Sequence, residues 1–196
     1  MMEEKTFPSY FDYDLIPEIS PEEVFVDLGG YIGDTVKDFV ESYSDKYKKI
    51  YTYEVDEENY RELLETIGEY RDVVPRNVAA GAATGKMYLD DEFHSATTKI
   101  SETGSRVVDI VSLDDDIQEK VTWIKMDIEG SEQMAIQGCQ EHIRNEKPKL
   151  TICTYHSNED IWKIPKMIKE YNEEYKLYMR CNTNTIWPSE YVLFTL

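Results

Sequence analysis

Short apolar runs alternate along the chain with segments in which apolar residues recur at helical spacing. Runs rich in Val, Ile, Tyr and Phe between turn residues predict β-strands. These strands are predicted at residues 24–28, 50–54, 73–80, 122–126, 149–155, 176–180 and 191–196. Helices are predicted at residues 35–43 and 57–67, from the fourth strand's end through to residue 145, and after residue 155, where Pro165 opens the last helix.

This order of strands and helices is typical of βαβ units, which build a parallel sheet. The two last strands, joined by an Asn-, Thr- and Pro-rich loop, predict an antiparallel hairpin. The fold class predicted is therefore α/β, a mostly parallel seven-stranded sheet with a C-terminal antiparallel hairpin. We expect one domain over residues 1–196, with a lead-in at 1–22 and, at 81–116, strands and a loop that cover the acceptor side of a site at the strands' carboxyl ends.

The first predicted strand runs into a glycine-rich turn. Its sequence is Val24-Phe25-Val26-Asp27-Leu28-Gly29-Gly30-Tyr31-Ile32-Gly33-Asp34-Thr35. Glycines permit positive φ and close approach of a ligand, and the helix that follows offers N–H groups to an anion such as a carboxylate. Asp27 is placed to accept from an ammonium group. The spacing departs from the G-x-G-x-x-G of dinucleotide sites and favours S-adenosylmethionine, while a tight turn without a ligand stays an alternative.

A carboxylate at the end of the second predicted strand agrees with a nucleoside ligand. Glu54 follows the glycine turn by about twenty residues, where an acid can accept from both ribose hydroxyls. The alternative is a strand-end acid that faces water. The candidate cofactor-binding residues are Asp27, Gly29, Gly30, Gly33, Thr35, Glu54, Val55 and Asp127.

Acidic residues gather where the fourth predicted strand turns into a helix. Asp127 and Glu129 are expected to share a strand face. Glu132 falls in the first helical turn, where the helix dipole stabilises a negative charge, so it needs no chemical role. Asp127 and Glu129 bind the cofactor, accept from a sugar-like substrate or hold a divalent cation, and the pattern leaves these three roles open.

Composition excludes several classes of partner. The formal net charge of −19 repels phosphate backbones and disfavours nucleic acid or an anionic membrane surface. No apolar stretch approaches the ~18 residues of a membrane span and no secretory leader is recognisable, so we expect a cytoplasmic protein. Cys139, Cys153 and Cys181 are widely spaced without a C-x-x-C pair, which disfavours disulfides and structural zinc.

The chain resembles the FkbM-type S-adenosylmethionine-dependent methyltransferases. The resemblance covers nearly the whole chain. It is carried by Tyr10-Phe11-Asp12, the glycine turn, Tyr53-Glu54, Val111-Ser112-Leu113-Asp114-Asp115, Lys125-Met126-Asp127-Ile128-Glu129-Gly130-Ser131-Glu132 and Tyr155-His156-Ser157-Asn158-Glu159-Asp160-Ile161-Trp162. It implies a Rossmann-like class I methyltransferase fold, S-adenosylmethionine as cofactor, and methyl transfer to an oxygen of a sugar, glycan or other small acceptor. It also implies cofactor-loop roles for Asp27, Gly29, Gly30 and Gly33, a ribose role for Glu54 and a strand-end acid at Asp127.

His156 is the candidate general base, since it follows the fifth predicted strand with an expected pKa near ~6.5. A hydrogen bond to Asp160 or to the backbone is the alternative role. His156, Asp127 and Glu129 are therefore the candidate catalytic residues, and His94 is a weaker candidate for acceptor contact.

Three other functions stay open, and no metal ligand is assigned. One is a non-catalytic nucleoside-binding or regulatory domain. Another is a magnesium-dependent methyltransferase in which Asp127 and Glu129, with or without His156, hold the ion. A nicotinamide-dependent oxidoreductase is disfavoured, because the glycine spacing is wrong for pyrophosphate.

Overall fold

The computed structural model of the protein describes residues 10–11, 20–43, 46–90, 99–101, 106–181 and 190–195. Its strands are β1 (Val24–Leu28), β2 (Lys49–Tyr53), β3 (Val73–Arg76), β4 (Ala79–Ala80), β5 (Gly85–Asp90), β6 (Lys99–Ser101), β7 (Arg106–Val111), β8 (Trp123–Met126), β9 (Lys149–Cys153), β10 (Leu177–Cys181) and β11 (Tyr191–Thr195). Its helices are α1 (Asp34–Tyr43), α2 (Glu57–Ile67), α3 (Leu113–Asp116), α4 (Glu132–Gln137), α5 (Gln140–Asn145) and α6 (Asp160–Tyr171). Within the described ranges, none of these helices is long and apolar enough to cross a bilayer.

Seven strands form the main sheet in the order β10-β11-β9-β8-β1-β2-β3. The neighbours from β9 to β3 are parallel, whereas β11 is antiparallel to both β9 and β10. The predicted α/β class, with a mostly parallel sheet and antiparallel C-terminal strands, is confirmed. The carboxyl ends of β8, β1 and β2 meet at one edge of this sheet, where an open α/β fold binds its ligands.

β1 lies at the centre of the sheet, and all five of its residues are buried. Val24, Val26 and Leu28 pack into an apolar cluster that includes residues of α4, α5 and α6. Phe25 points into a second cluster and stacks on Phe39 of α1, with ring centroids 4.4 Å apart. Because helices cover both faces, a strand in this position is normally apolar throughout, and Asp27 is the exception.

The strand predicted at residues 73–80 is two strands in two sheets. β3 pairs with β2, and β4 pairs with β7 in a second sheet of order β4-β7-β5-β6. Asn77, between them, donates its side-chain amide to the backbone oxygens of Glu54 at 2.8 Å and Val55 at 3.4 Å. These bonds tie the chain to the end of β2 and turn it out of the main sheet.

The segment at 81–116 supplies the other strands of this second sheet and the short helix α3. Strands were expected there, whereas a helix was not. The part of the expected covering loop that contains His94 lies outside the described residues.

The helix predicted to run through to residue 145 is broken into α4 and α5. Gly138 stands at the break, and its carbonyl accepts from Ser112 Oγ at 2.9 Å and from the Asp114 N–H at 2.9 Å. In a continuous helix the His142 N–H would bond to this carbonyl; it donates instead to Asp114 Oδ1 at 3.2 Å. Contacts with the α3 region therefore replace one helical turn.

Pro165 does not open the last helix, because α6 begins five residues earlier at Asp160. A proline inside a helix lacks the N–H that would bond to the carbonyl four residues back. That carbonyl belongs to Ile161, near the start of α6, so the proline removes one hydrogen bond close to the N-terminal end and the helix continues past it to Tyr171.

We expect Gly138→Ala to destabilise the protein. A Cβ at this position would lie 1.9 Å from the Gly81 carbonyl oxygen, and such overpacking costs about 1–3 kcal/mol. The midpoint of thermal unfolding should fall by roughly 2–12 °C for a chain of this size. Gly85→Ala is the matched control, because a Cβ there would meet no atom within 4 Å. Equal midpoints for the two variants would contradict the packing argument.

Candidate active site

A cavity of about 270 Å³ opens at the carboxyl ends of β1, β2 and β8. Its walls come from the loops after these strands, the start of α1, the chain before and within β4, and the N-terminal aromatic segment. The lining residues are Tyr10, Gly29, Tyr31, Asp34, Thr35, Tyr53, Glu54, Val55, Asn59, Val78, Ala79, Ala80, Lys125, Asp127, Ile128 and Glu129. Five of the predicted cofactor residues are thus brought together: Gly29, Thr35, Glu54, Val55 and Asp127.

The glycine turn is pressed against the loop that follows β8. Gly29 has a φ of +82°, and a Cβ on it would lie 1.9 Å from the Asp127 carbonyl oxygen. Only glycine fits this position, since it alone combines positive φ with the absence of a side chain. Gly30 and Gly33 belong to the same turn and pack towards α2, and neither is among the residues that line the cavity.

Asp27 is committed to a buried ion pair. Its carboxylate is fully buried, and Oδ1 lies 2.9 Å from Nζ of Lys125, whose side chain is 2% exposed. Nζ also donates to the Gly29 carbonyl at 2.7 Å. Burial alone would lower the pKa of Lys125, but Asp27 and Asp127 outweigh it and raise the pKa, so the ammonium is retained.

The predicted contact between Asp27 and the cofactor does not fit this placement, because Asp27 is absent from the residues that line the cavity. Lys125 already supplies the positive charge that Asp27 was expected to find in a ligand. Asp34, at the first position of α1, is the carboxylate that does face the cavity here.

Glu54 borders the cavity at the end of β2. Its Oε2 accepts from the Tyr31 N–H at 2.9 Å, and its Oε1 accepts from the Asp56 N–H at 2.8 Å. Burial raises the pKa of Glu54 and outweighs the lowering by these two backbone bonds. Each oxygen of a carboxylate accepts about two hydrogen bonds, so both retain capacity for a ligand.

Asp127 is held by two tyrosines. Tyr10 donates to Oδ2 at 2.8 Å, and Tyr155 donates to Oδ1 at 3.1 Å. Burial opposes ionisation of this carboxyl, but Lys125 and His156 outweigh it and lower the pKa of Asp127. An anionic carboxylate therefore lies at the cavity wall.

His156 brings three carboxylates together. Its Nδ1 lies 2.8 Å from Oε1 of Glu132, while its Nε2 lies 3.4 Å from Oδ1 of Asp127 and 3.6 Å from Oε2 of Glu129. Burial alone would lower the pKa of His156, but these carboxylates outweigh it and raise the pKa. The expected value near ~6.5 is therefore wrong, and the expected partner Asp160 is replaced by Glu132.

Asp127 and Glu129 meet, but their side chains do not share a strand face. β8 ends at Met126, so both residues lie in the loop beyond it. Glu129 adopts a φ of +56°, a left-handed conformation that interrupts the alternation of a strand. This loop brings both carboxylates to His156.

Three residues at the site were missed as functional candidates. Glu132 is fully buried against His156, and the helix dipole alone does not explain that position. Asp34 and Lys125 also border the cavity. Both stand in motifs in which neighbouring residues, and not these two, were the candidates. Tyr10 also borders the cavity, and it belongs to the N-terminal run Tyr10-Phe11-Asp12 that carries part of the family resemblance. In each case the motif was visible, but the long-range partner was not.

A family model described as the methyltransferase FkbM domain matches residues 27–182. The matched range includes the glycine turn, Glu54 and the cluster around His156. No curated protein matches the chain.

Solved methyltransferase structures share the fold. Methyltransferase FkbM from Methylobacillus flagellatus KT is 26% identical, with a TM-score of 0.78, over 94% of this chain and 46% of its own. A putative methyltransferase from Streptococcus mutans, in complex with SAH, is 11% identical with a TM-score of 0.58, over 90% and 89%. An rRNA methylase from Streptococcus thermophilus is 11% identical with a TM-score of 0.57, over 91% and 88%.

The chain spans less than half of the M. flagellatus protein, whereas it covers most of the two streptococcal proteins. At 11% identity, the two streptococcal structures show only that the fold is shared. The predicted Rossmann-like methyltransferase fold is confirmed.

We expect Lys125→Met to destabilise the protein strongly. The change leaves Asp27 as a buried charge without its partner, and such a loss costs about 3–5 kcal/mol. Urea unfolding of the variant, beside Lys125→Met combined with Asp27→Asn, measures the cost of the orphaned charge, and the double variant should recover part of the loss.

Lys86→Met is the matched control for this measurement. Lys86 pairs with Asp109 at 2.6 Å, but both side chains are exposed, so little change in stability is expected. If Lys125→Met lowers the free energy of unfolding by a similarly small amount, the buried ion pair does not stabilise this region as proposed.

Proposed function

The chain belongs to the FkbM methyltransferase family, and on that premise we propose that it transfers a methyl group from S-adenosylmethionine to a hydroxyl oxygen of a small-molecule or glycan acceptor. One observation carries the proposal. The glycine turn, Glu54 and the loop with Asp127 and Glu129 border the same cavity at the strand ends. A nucleoside site and a polar cluster suited to an acceptor are thereby adjacent.

The cavity has the donor and acceptor groups that S-adenosylmethionine needs. Glu54 would accept from the ribose hydroxyls, because each of its oxygens has spent only one backbone bond. Val55, Val78 and Ala79 would supply an apolar wall for the base. Asp34, rather than Asp27, would accept from the ammonium of the methionine end. The SAH bound by the S. mutans neighbour supports this choice of ligand.

When bound, this cofactor supplies an electrophilic methyl group on a sulfonium sulfur. We place the acceptor hydroxyl against Asp127, Glu129 and His156, because the first two border the cavity and the imidazole lies directly beside them. The role of the protein is then to hold the two reactants within ~3–3.5 Å and aligned. Nε2 of His156 lies within 3.6 Å of both carboxylates, so the three side chains would contact the acceptor together.

A small acceptor is favoured over RNA, although two structural neighbours are named rRNA methylases, one of them as putative. The formal net charge of −19 opposes association with a phosphate backbone. We further propose that residues 1–196 act as one methyltransferase domain, with 81–116 on the acceptor side. In support, Val78 to Ala80 line the cavity and lead directly into that segment.

Glu54→Gln should weaken binding of S-adenosylmethionine. The amide keeps the shape but loses the charge and one acceptor oxygen, and hydrogen bonds to charged groups contribute about 1.5–3 kcal/mol, or roughly 10- to 150-fold in affinity. Isothermal titration with the cofactor and with S-adenosylhomocysteine measures the change, and Glu58→Gln on the exposed side of α2 is the control. Folded wild-type protein that binds neither ligand would overturn the cofactor assignment.

Methyl transfer to oxygen is tested with cofactor carrying a ¹³C-labelled methyl and a panel of sugars and other hydroxylated small molecules. The NMR shift of the labelled carbon should identify an O-methyl product. Gly29→Ala is the inactive control, since its Cβ would clash with the Asp127 carbonyl. An N- or C-methyl product would contradict the acceptor class, and tight cofactor binding without turnover on the whole panel would favour a non-catalytic nucleoside-binding domain.

A further inference from the structure

We propose that Asp127, Glu129 and His156 bind one divalent transition-metal cation at the acceptor side of the cavity. No metal ligand was assigned from the sequence, where magnesium was only an alternative. Binding of the cation follows from this cluster alone. The role given to it below, activation of the acceptor, rests on the proposed function.

The spacing of the three side chains suits a shared ion. One ligand atom from each lies within 4.8 Å of the other two. Ions such as Zn²⁺ bind imidazole nitrogen and carboxylate oxygen at about 2.0–2.2 Å, so two ligands at a tetrahedral angle are about 3.4 Å apart. The distances from His156 Nε2 are 3.4 Å to Asp127 Oδ1 and 3.6 Å to Glu129 Oε2.

Nε2 of His156 is aimed into the cluster without a hydrogen bond of ordinary length. A charge-assisted N–H···O bond is about 2.7–2.9 Å long, which is shorter than both distances from this nitrogen. The His156 side chain is 7% exposed, so it is nine-tenths buried. A ring nitrogen on a largely buried side chain that faces two carboxylate oxygens at these distances is what a bound cation would explain.

Glu132 orients the imidazole as a metal site requires. Its Oε1 lies 2.8 Å from Nδ1 of His156 and also accepts from the Ile128 N–H at 2.9 Å. Histidines that bind metals generally donate their second ring N–H to a carboxylate, which leaves the other nitrogen free as ligand. Tyr10 and Tyr155 hold Asp127 in the same manner.

Negative charge at this corner exceeds the donors that face it. Glu132 and Asp160 are buried, and each keeps one carboxylate oxygen, Oε2 and Oδ2 respectively, with no hydrogen-bond partner among the described residues. Buried carboxylates are costly unless they are paired. A cation bound at His156, next to Glu132, would offset this charge.

The donor set selects the kind of ion. Carboxylates suit Mg²⁺, Ca²⁺ and Mn²⁺, whereas imidazole suits Zn²⁺, Fe²⁺ and related metals, and Mn²⁺ is compatible with both. Three protein ligands leave coordination positions for water or an acceptor oxygen. A coordinated hydroxyl loses its proton to solvent more readily, so the cation would generate the oxygen nucleophile.

The test is a titration of the full chain with Mn²⁺, in which electron paramagnetic resonance measures the concentration of free ion at each step. We expect one tight site in the wild type, with affinity at least tenfold weaker in Glu129→Gln and in His156→Gln. Glu132→Gln, which alters only the group behind the imidazole, should weaken binding by roughly 10- to 100-fold. Glu65→Gln, an exposed acid on α2, is the control for adventitious binding to surface carboxylates.

Circular dichroism of each variant confirms that it is folded before its affinity is compared. Mn²⁺ binding that is equally weak in the wild type and all variants overturns the proposal, as does a tight site that His156→Gln leaves unchanged. Titration with S-adenosylmethionine on the same samples separates the two proposals. If the protein binds S-adenosylmethionine but not Mn²⁺, only the proposed cation site is refuted. If it binds Mn²⁺ but not S-adenosylmethionine, only the proposed methyltransferase function is refuted.

Discussion

The buried ion pair of Lys125 and Asp27 is the interaction on which the arrangement of the site depends. The two residues are register partners on the neighbouring parallel strands β8 and β1, and the ammonium also binds the Gly29 carbonyl. A desolvated charge pair is a poor source of net stability, although breaking it is costly. Its evident use here is positional, because it connects the strand that leads to the cofactor turn with the strand that leads to Asp127.

The glycine turn after β1 and the loop after β8 consequently contact each other. Gly29, on the cofactor side, lies against the Asp127 carbonyl, and Asp127 is also held by Tyr10 and Tyr155. The backbone of the glycine turn is therefore in contact with the backbone that carries Asp127 and Glu129. Under the proposed function, both reactants would bind at these strand ends.

Much of the fold could be predicted because the local patterns are strong. β1 and α2 have the predicted boundaries, and α2 also has an N-cap, since Asp56 accepts from the N–H groups of Glu58 and Asn59. The predicted boundaries were wrong where hydrogen bonds to residues distant in the sequence end or divide a strand or helix. Asn77 ends β3 through bonds to the end of β2, and Gly138 divides a helix through bonds to the α3 region.

The site shows the same limit. The glycine turn and Glu54 were found from sequence spacing, and both border the cavity. The partner of Asp27 was missed, because parallel register decides which residue of β8 faces it. The pair of Glu132 and His156 joins residues 24 positions apart, and the local explanation of Glu132 concealed the second partner.

The turn at Gly29 is shaped by contacts internal to the protein. Lys125 binds its carbonyl, and the Tyr53 carbonyl accepts from the Gly29 N–H at 3.0 Å and the Gly30 N–H at 2.9 Å. A ligand that enters a preformed pocket loses little free energy to ordering it. Substitutions in the cavity wall are then expected to change the affinity of a ligand through the contacts of the bound state, and not through the cost of ordering the turn.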